Sequence, residues 1–505
     1  MKFMWEIGGR RKLQYMASLS ATLCVLSSEM HFGWTSPSLP VLISGQYFFT
    51  ISQDEASWLA VILLAGTVVG AFFAGSFANI LGRKKMVLLT AVPLLIAWLM
   101  IALASNVKVL FAARFIAGMS SGLCFSTIPM YLGEVSEPDI RGMLSSLGPV
   151  CVVLGILLIN IIGNYLPIDT AAYISSSFPI VLFLTFLWMP ESPSYLLQQN
   201  QTEAAKRALV LLRGPTEGEK ELYRLLEYMK TEPENKANIC DLVRDKVNRK
   251  AAIVAYGLRT IQQLCGITVI TFYCKTIFED SKEILSPNIS TILYFLVQLM
   301  CSFASTFVVD KIGRKPLLII SLVGASTALL VLTMFMYTDS HLQVDVTNLK
   351  YIPFACLMIN VAFISIGVRV IPLLMMGEMF SARIKPLAVC VGAIYYSLIA
   401  MLVAKLYHVI NELYGSYLPF LMFTLLGYLS ILFVAFIVPE TKGKNLEDIQ
   451  RDLGGKASHN IANISIDAGT AEKEKDIVVN TKFGSLNLGF QSCDGSAGTT
   501  NADKT

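Results

Sequence analysis

Apolar residues in this chain gather in runs of about twenty, the length an α-helix needs to cross the hydrocarbon core of a bilayer. Such runs cover 14–34, 57–80, 86–105, 109–131, 143–163 and 171–189. They resume at 251–277, 289–309, 316–337, 351–376, 386–409 and 417–438. Six runs, a polar gap and six more predict an all-α membrane protein of twelve transmembrane helices in two six-helix bundles, 1–189 and 251–450. The gap, 190–250, is rich in Lys, Arg and Glu. Its spacing (Glu203, Lys206 and Arg207, then Leu222, Leu225 and Leu226) predicts short amphipathic helices on the membrane face. The segment 451–505 has few large apolar residues and reads as a disordered tail. Basic residues precede the first run with no small-residue cleavage site, so that run is expected to be a membrane helix and not a removed signal peptide.

Composition agrees. Of 505 residues, 54% are hydrophobic and 15% charged, against about 25% charged in soluble domains, which excludes a water-soluble enzyme. The four histidines form no HExxH pattern and the ten cysteines no CxxC pair, so neither a metal nor a cofactor is expected. The net charge of +4 points to no nucleic-acid partner; the expected partners are the lipid bilayer and a small solute.

Lys and Arg distribute unequally between the loops. One side collects Arg10, Arg11, Lys12, Arg83, Lys84, Lys85, Arg141, the central segment, Lys311, Arg314, Lys315, Arg383, Lys385, Lys442 and Lys444. The other shows Asp54, Glu55, Asp169, Glu279, Asp280 and Glu412. Basic loops stay in the cytoplasm, so both termini and the helical linker are expected there, in a multi-pass protein of the cell membrane. Asn288-Ile289-Ser290 is then a glycosylation sequon on the outer side.

The two halves repeat each other. Gly82-Arg83-Lys84-Lys85 follows the second run, and Gly313-Arg314-Lys315 follows the eighth. Gly133-Glu134 with Arg141 follows the fourth; Gly377-Glu378 with Arg383 and Lys385 follows the tenth. Pro190-Glu191-Ser192 ends the sixth, and Pro439-Glu440-Thr441 the twelfth. Parallel repeats place a solute site between two halves that rock about it. Glu134, Arg83 and Arg141 are expected to meet in one half, and Glu378, Arg314 and Arg383 in the other, as charge latches with Glu191 and Glu440. Plain inside-positive charge explains the basic residues of these sets but not the glutamates.

These motifs resemble the major facilitator superfamily and, within it, the sugar porter family. The resemblance runs over about 13–450 through Gly82–Lys85, Ala113-Arg114-Phe115, Pro129–Ser136, Arg141-Gly142, Pro190–Pro193, Gln262-Gln263-Leu264, Asp310–Lys315 and Pro439–Gly443. The stretches Gly33–Pro40 and Met375–Glu378 look most like insect facilitated trehalose and glucose transporters. The resemblance implies alternating access and facilitative transport of a sugar bound by Gln262 and Gln263, with help from the fifth, eighth and tenth helices. An amide suits sugar hydroxyls because it both donates and accepts. The same glutamines could instead bond neighbouring helices.

The chain also departs from the family. Thr268 and Gln298 stand where Asn is usual, and Asn160 where Gln is usual. The tenth-helix Trp is lost from Gly367–Leu373, and Tyr396-Ser397 replaces an Asn-Trp pair, leaving Tyr395 and Tyr396 as candidate platforms. Thr35 takes the place of the acid of proton-coupled members, which favours uniport, although Glu29 and His31 lie nearby. Ser194 replaces an Arg usual after Pro193.

Arg259 and Arg369 sit inside apolar runs at matched depth, roughly 12–14 Å from the cytoplasmic ends at 1.5 Å per residue. They are expected to border the cavity and favour a solute with a carboxylate or phosphate, or else to reach the cytoplasmic vestibule or a nearby acid. Glu29 is expected to lie too deep to serve. The competing readings are a carrier of another polar or anionic solute, a proton-coupled symporter, and a non-transporting sugar sensor.

Overall fold

The computed structural model describes residues 11–231, 239–279, 284–341, 349–381, 383–444 and 446–454. Arg10, Asp280 and the expected tail beyond Gly454 lie outside the described residues. The chain divides into two units, 1–446 and 447–505; at the junction a helix runs Leu446–Gly454, so helix persists four residues past the expected start of the tail.

The first six spans are α1 (Lys12–Gly33) with α2 (Thr35–Ile43), α3 (Gln53–Leu81), α4 (Arg83–Ala102), α5 (Val107–Val135), α6 (Pro138–Tyr165), and α7 (Ile168–Ser175) with α8 (Ser177–Phe186). Four short helices follow: α9 (Pro193–Gln198), α10 (Thr202–Arg213), α11 (Pro215–Thr231) and α12 (Ile239–Arg244). The second six are α13 (Lys246–Leu264) with α14 (Ile267–Glu279), α15 (Pro287–Ile312), α16 (Arg314–His341), α17 (Ile352–Ile366) with α18 (Ile371–Met379), α19 (Lys385–Tyr414) and α20 (Tyr417–Ile437). Among the described residues eleven segments are long and apolar enough to cross a membrane. The twelfth, α1 with α2, buries Ser18, Ser27, Ser28, Glu29 and His31 against its neighbours. Phe303, Phe307, Leu425 and Phe436 stay exposed, as lipid-facing side chains should.

Helix ends follow local chemistry. Ser52 and Glu55 form a reciprocal capping box at the start of α3. Asn106 caps α5 by accepting from the Val109 N–H at 3.1 Å. Gly82 (φ 89°) and Gly313 (φ 104°) turn one helix directly into the next at equivalent places in the two halves. Within the first half, Gly66 and Gly70 on α3 meet Gly118 and Gly122 on α5 so closely that an added methyl would strike backbone: Phe115 and Met119 oxygens on one side, Leu63 and Thr67 oxygens on the other.

The short amphipathic helices expected between the halves are present. Leu197, Ala205, Leu209 and Leu222 pack on one another, and Leu212 packs into the core of the first half. Tyr223 and Val243 remain exposed.

The halves touch where α3 meets α19, α6 meets α15, and α2 meets α14. Phe32 and Phe272 pack across this seam with centroids 4.6 Å apart and ring planes tilted by 46°.

Candidate functional site

The seventh and tenth spans are both broken, and the breaks build the polar centre of the seam. Gly266 (φ 77°) interrupts the seventh span, with the Phe423 ring against it. The tenth unwinds over 367–370; there the Arg369 N–H reaches back to the Ile364 carbonyl at 3.0 Å and Ile371 to Gly367. Unwinding frees main-chain carbonyls, and Gln262 takes them: its Nε2 donates to Val368 O at 2.8 Å and Arg369 O at 3.0 Å. Its Oε1 accepts from Arg259 Nη1 at 3.0 Å. The Arg259 guanidinium lies 5.0 Å from the centroid of Tyr396. The Gln298 amide faces the Arg369 guanidinium; with its oxygen turned inward it accepts from Nε at 2.9 Å, Nη2 at 2.6 Å and Nη1 at 2.9 Å.

Thus Gln262, Gln298, Arg259, Arg369 and Tyr396 form one connected cluster drawn from four spans. Gln263 and Thr268 lie beside it on the seventh span, buried, with no partner for either amide atom of Gln263 or for the Thr268 hydroxyl. Asn160 is also buried; its Nδ2 donates to Ile156 O in its own helix and its Oδ1 is unpartnered. Glu29 is buried in the first span. Tyr395 bonds Thr260 at 2.8 Å and packs on Tyr256. The Thr35 hydroxyl donates back to Phe32 O, where α1 passes into α2. Arg114, fully buried, donates to the carbonyls of His31 and Leu59 and lies over the Trp34 ring.

The rim networks at the linker ends repeat almost atom for atom. In the first half Arg83 pairs with Glu134 at 3.0 Å, the Ser192 hydroxyl donates to Glu134, and Glu191 Oε1 accepts from the N–H groups of Arg83 at 3.0 Å and Lys84 at 2.9 Å. In the second, Arg314 pairs with Glu378 at 2.7 Å and the Thr441 hydroxyl donates to Glu378 at 2.6 Å. Glu440 there accepts from the N–H groups of Arg314 and Lys315, each at 3.0 Å. Burial pushes the Glu440 carboxyl up, but four backbone N–H groups outweigh it and hold the group below the usual carboxylate range.

Two expected members are elsewhere. Arg141 turns to the Ser136 carbonyl at 3.3 Å, and Arg383 pairs with Asp241 of α12 at 3.1 Å. Charge parity did not foresee the hydroxyls of Ser192 and Thr441, which fill the remaining acceptor positions. At the sequon, Asn288 Nδ2 already donates to Asn164 O at 3.3 Å across the seam, and Ser290 is buried. The sequence reading also missed Lys405, whose only signal was a lone cation within an apolar run.

Duplicated rims around a polar seam, on broken seventh and tenth spans, define the two-bundle architecture of the major facilitator superfamily. The pattern described as "Sugar (and other) transporter" matches residues 9–453, and the chain belongs to that family. It is 33% identical over 458 residues to the facilitated trehalose transporter Tret1 of Drosophila mojavensis, covering 89% of this chain and 53% of that one. It is 31% identical over 446 residues to the Tret1-2 homolog of Drosophila simulans, covering 88% and 91%. The chain spans about half the length of the first of these relatives. The inward-open xylose transporter XylE of E. coli has the same fold, with a TM-score of 0.70 at 21% identity over 86% of this chain and 99% of that one.

Proposed function

We propose that the protein carries a sugar across the membrane by alternating access, as a uniporter. The carrying observation is Gln263: a buried amide with four unmet hydrogen-bonding valences, alongside the buried Thr268 and Asn160, whose oxygens are unmet as well; all three lie on spans the family resemblance assigns to the site. Leaving such groups unpaired is unfavourable, and a polyhydroxylated solute would satisfy them. The names of the relatives make trehalose the first candidate, and the resemblance in sequence adds glucose. Thr35 offers no titratable group where proton-coupled members carry an acid, which supports uniport.

In this reading Gln262, Gln263, Thr268, Asn160, Gln298 and Tyr396 line the solute site. Arg83–Glu134 and Arg314–Glu378, braced by Glu191 and Glu440, keep each rim rigid while the halves rock. Both termini and the 190–250 linker are cytoplasmic, supported by the one-sided Lys and Arg, and 451–505 is a cytoplasmic tail.

Counterflow in proteoliposomes tests this. Exchange of labelled sugar, unaltered by a pH gradient, is expected. Exchange that follows the gradient would mark a symporter, and none with any solute a sensor.

A further inference from the structure

Resting on that transport reading, we propose that Arg259 and Arg369 make this site selective for a sugar carrying one carboxylate, an aldonate or uronate. Two guanidinium groups converge on the same cluster. Arg259 lies over Tyr396 and on Gln262; Arg369 lies on Gln298. Among the described residues neither forms an ion pair with a carboxylate. Two guanidinium groups therefore stand together in a membrane interior, where an uncompensated Arg is unfavourable by about 2.5–3.5 kcal/mol even on insertion scales.

The amides tell the same story. Gln262 and Gln298 would ordinarily be free for hydroxyls, but the arginines and the unwound backbone occupy them. The donors left over are guanidinium N–H groups, including the buried, unpartnered Nε of Arg259. Both arginines are only partly buried, so a solute can reach them. A planar fork of N–H groups matches a carboxylate. A carboxylate presents two coplanar oxygens to that fork, whereas a phosphate monoester presents three tetrahedral ones.

The test is counterflow by the full chain in proteoliposomes with glucose, trehalose, gluconate, glucuronate and glucose 6-phosphate. Gluconate or glucuronate should exchange about tenfold faster than glucose, the scale of a charge-assisted bond. In Arg259→Gln/Arg369→Gln that preference should vanish, read as the ratio of gluconate to glucose exchange. Because the double variant could fold poorly, Arg259→Lys/Arg369→Lys is run beside it, and it should keep part of the acid preference. Equal or faster exchange of glucose or trehalose by the unmodified protein overturns the inference and leaves sugar transport standing. Preference for the phosphate overturns it too. Exchange of no solute overturns both.

Discussion

Lys405 on α19 places its Nζ 2.6 Å from Asp54 Oδ1 at the start of α3, tying the two halves together at the ends opposite the linker. The same ammonium donates to Ser57 at 2.7 Å and lies 4.4 Å from the Trp58 ring centroid. His408 stands 3.6 Å from Glu412 and 4.0 Å from Asp54. The pair bridges the seam, unlike the rim networks, which each stay within one half. It therefore distinguishes conformations that the rims do not.

Asp54→Asn should loosen this face. Spin labels at Phe48 and Leu413, both exposed, should show a longer mean distance in the variant. High salt should move the unmodified protein in the same direction, because Asp54 is exposed and screened. An unchanged distance distribution would show that the bridge does not hold the face shut.

The rim carboxylates should differ from ordinary surface charges. Arg83 is 5% exposed and Glu134 19%, so Glu134→Ala removes a carboxylate from a buried guanidinium. A loss of about 3 kcal/mol is expected, read as a lowered unfolding midpoint in detergent. Lys220→Ala, from an exposed pair, should be close to silent.

The close α3–α5 contact gives a steric prediction. Gly70→Ala or Gly118→Ala places a methyl on backbone oxygen and should destabilise by about 1–3 kcal/mol or more. Gly142 and Gly148 meet nothing within 4 Å. Their Ala variants should unfold within about 0.5 kcal/mol of the parent.

Gln263→Leu separates stability from transport. It removes unmet amide valences, so stability should hold or rise by about 1 kcal/mol. Counterflow should fall about tenfold or more, as a solute loses its amide. A stable variant with full exchange would remove Gln263 from the site.

Glu440 predicts an acid limb. Its folded carboxyl titrates below its unfolded value of about 4.3, because four N–H groups favour the anion. Its stabilisation is therefore complete above that value and is lost as pH falls through the lower, folded one. Melting from pH 7 to 3 should show a shallower acid decline in Glu440→Gln, starting from a lower plateau.

The run lengths determined the number of spans, because a bilayer fixes how many apolar residues a helix must present. The repeated Gly-Arg, Gly-Glu and Pro-Glu landmarks determined the duplication and correctly named Arg83–Glu134 and Arg314–Glu378, since each motif lies at the end of a span and span ends assemble on one face. Tertiary structure decided the rest. Arg141 and Arg383 are both charged residues near the right depth, yet their partners depend on which way helices turn and where they unwind. Depth is readable at 1.5 Å per residue; azimuth and the breaks at Gly266 and Gly367–Val370 are set by packing between distant spans. The same limit hid the Asp54–Lys405 bridge, whose partners stand 351 positions apart and meet only when the two halves fold against each other.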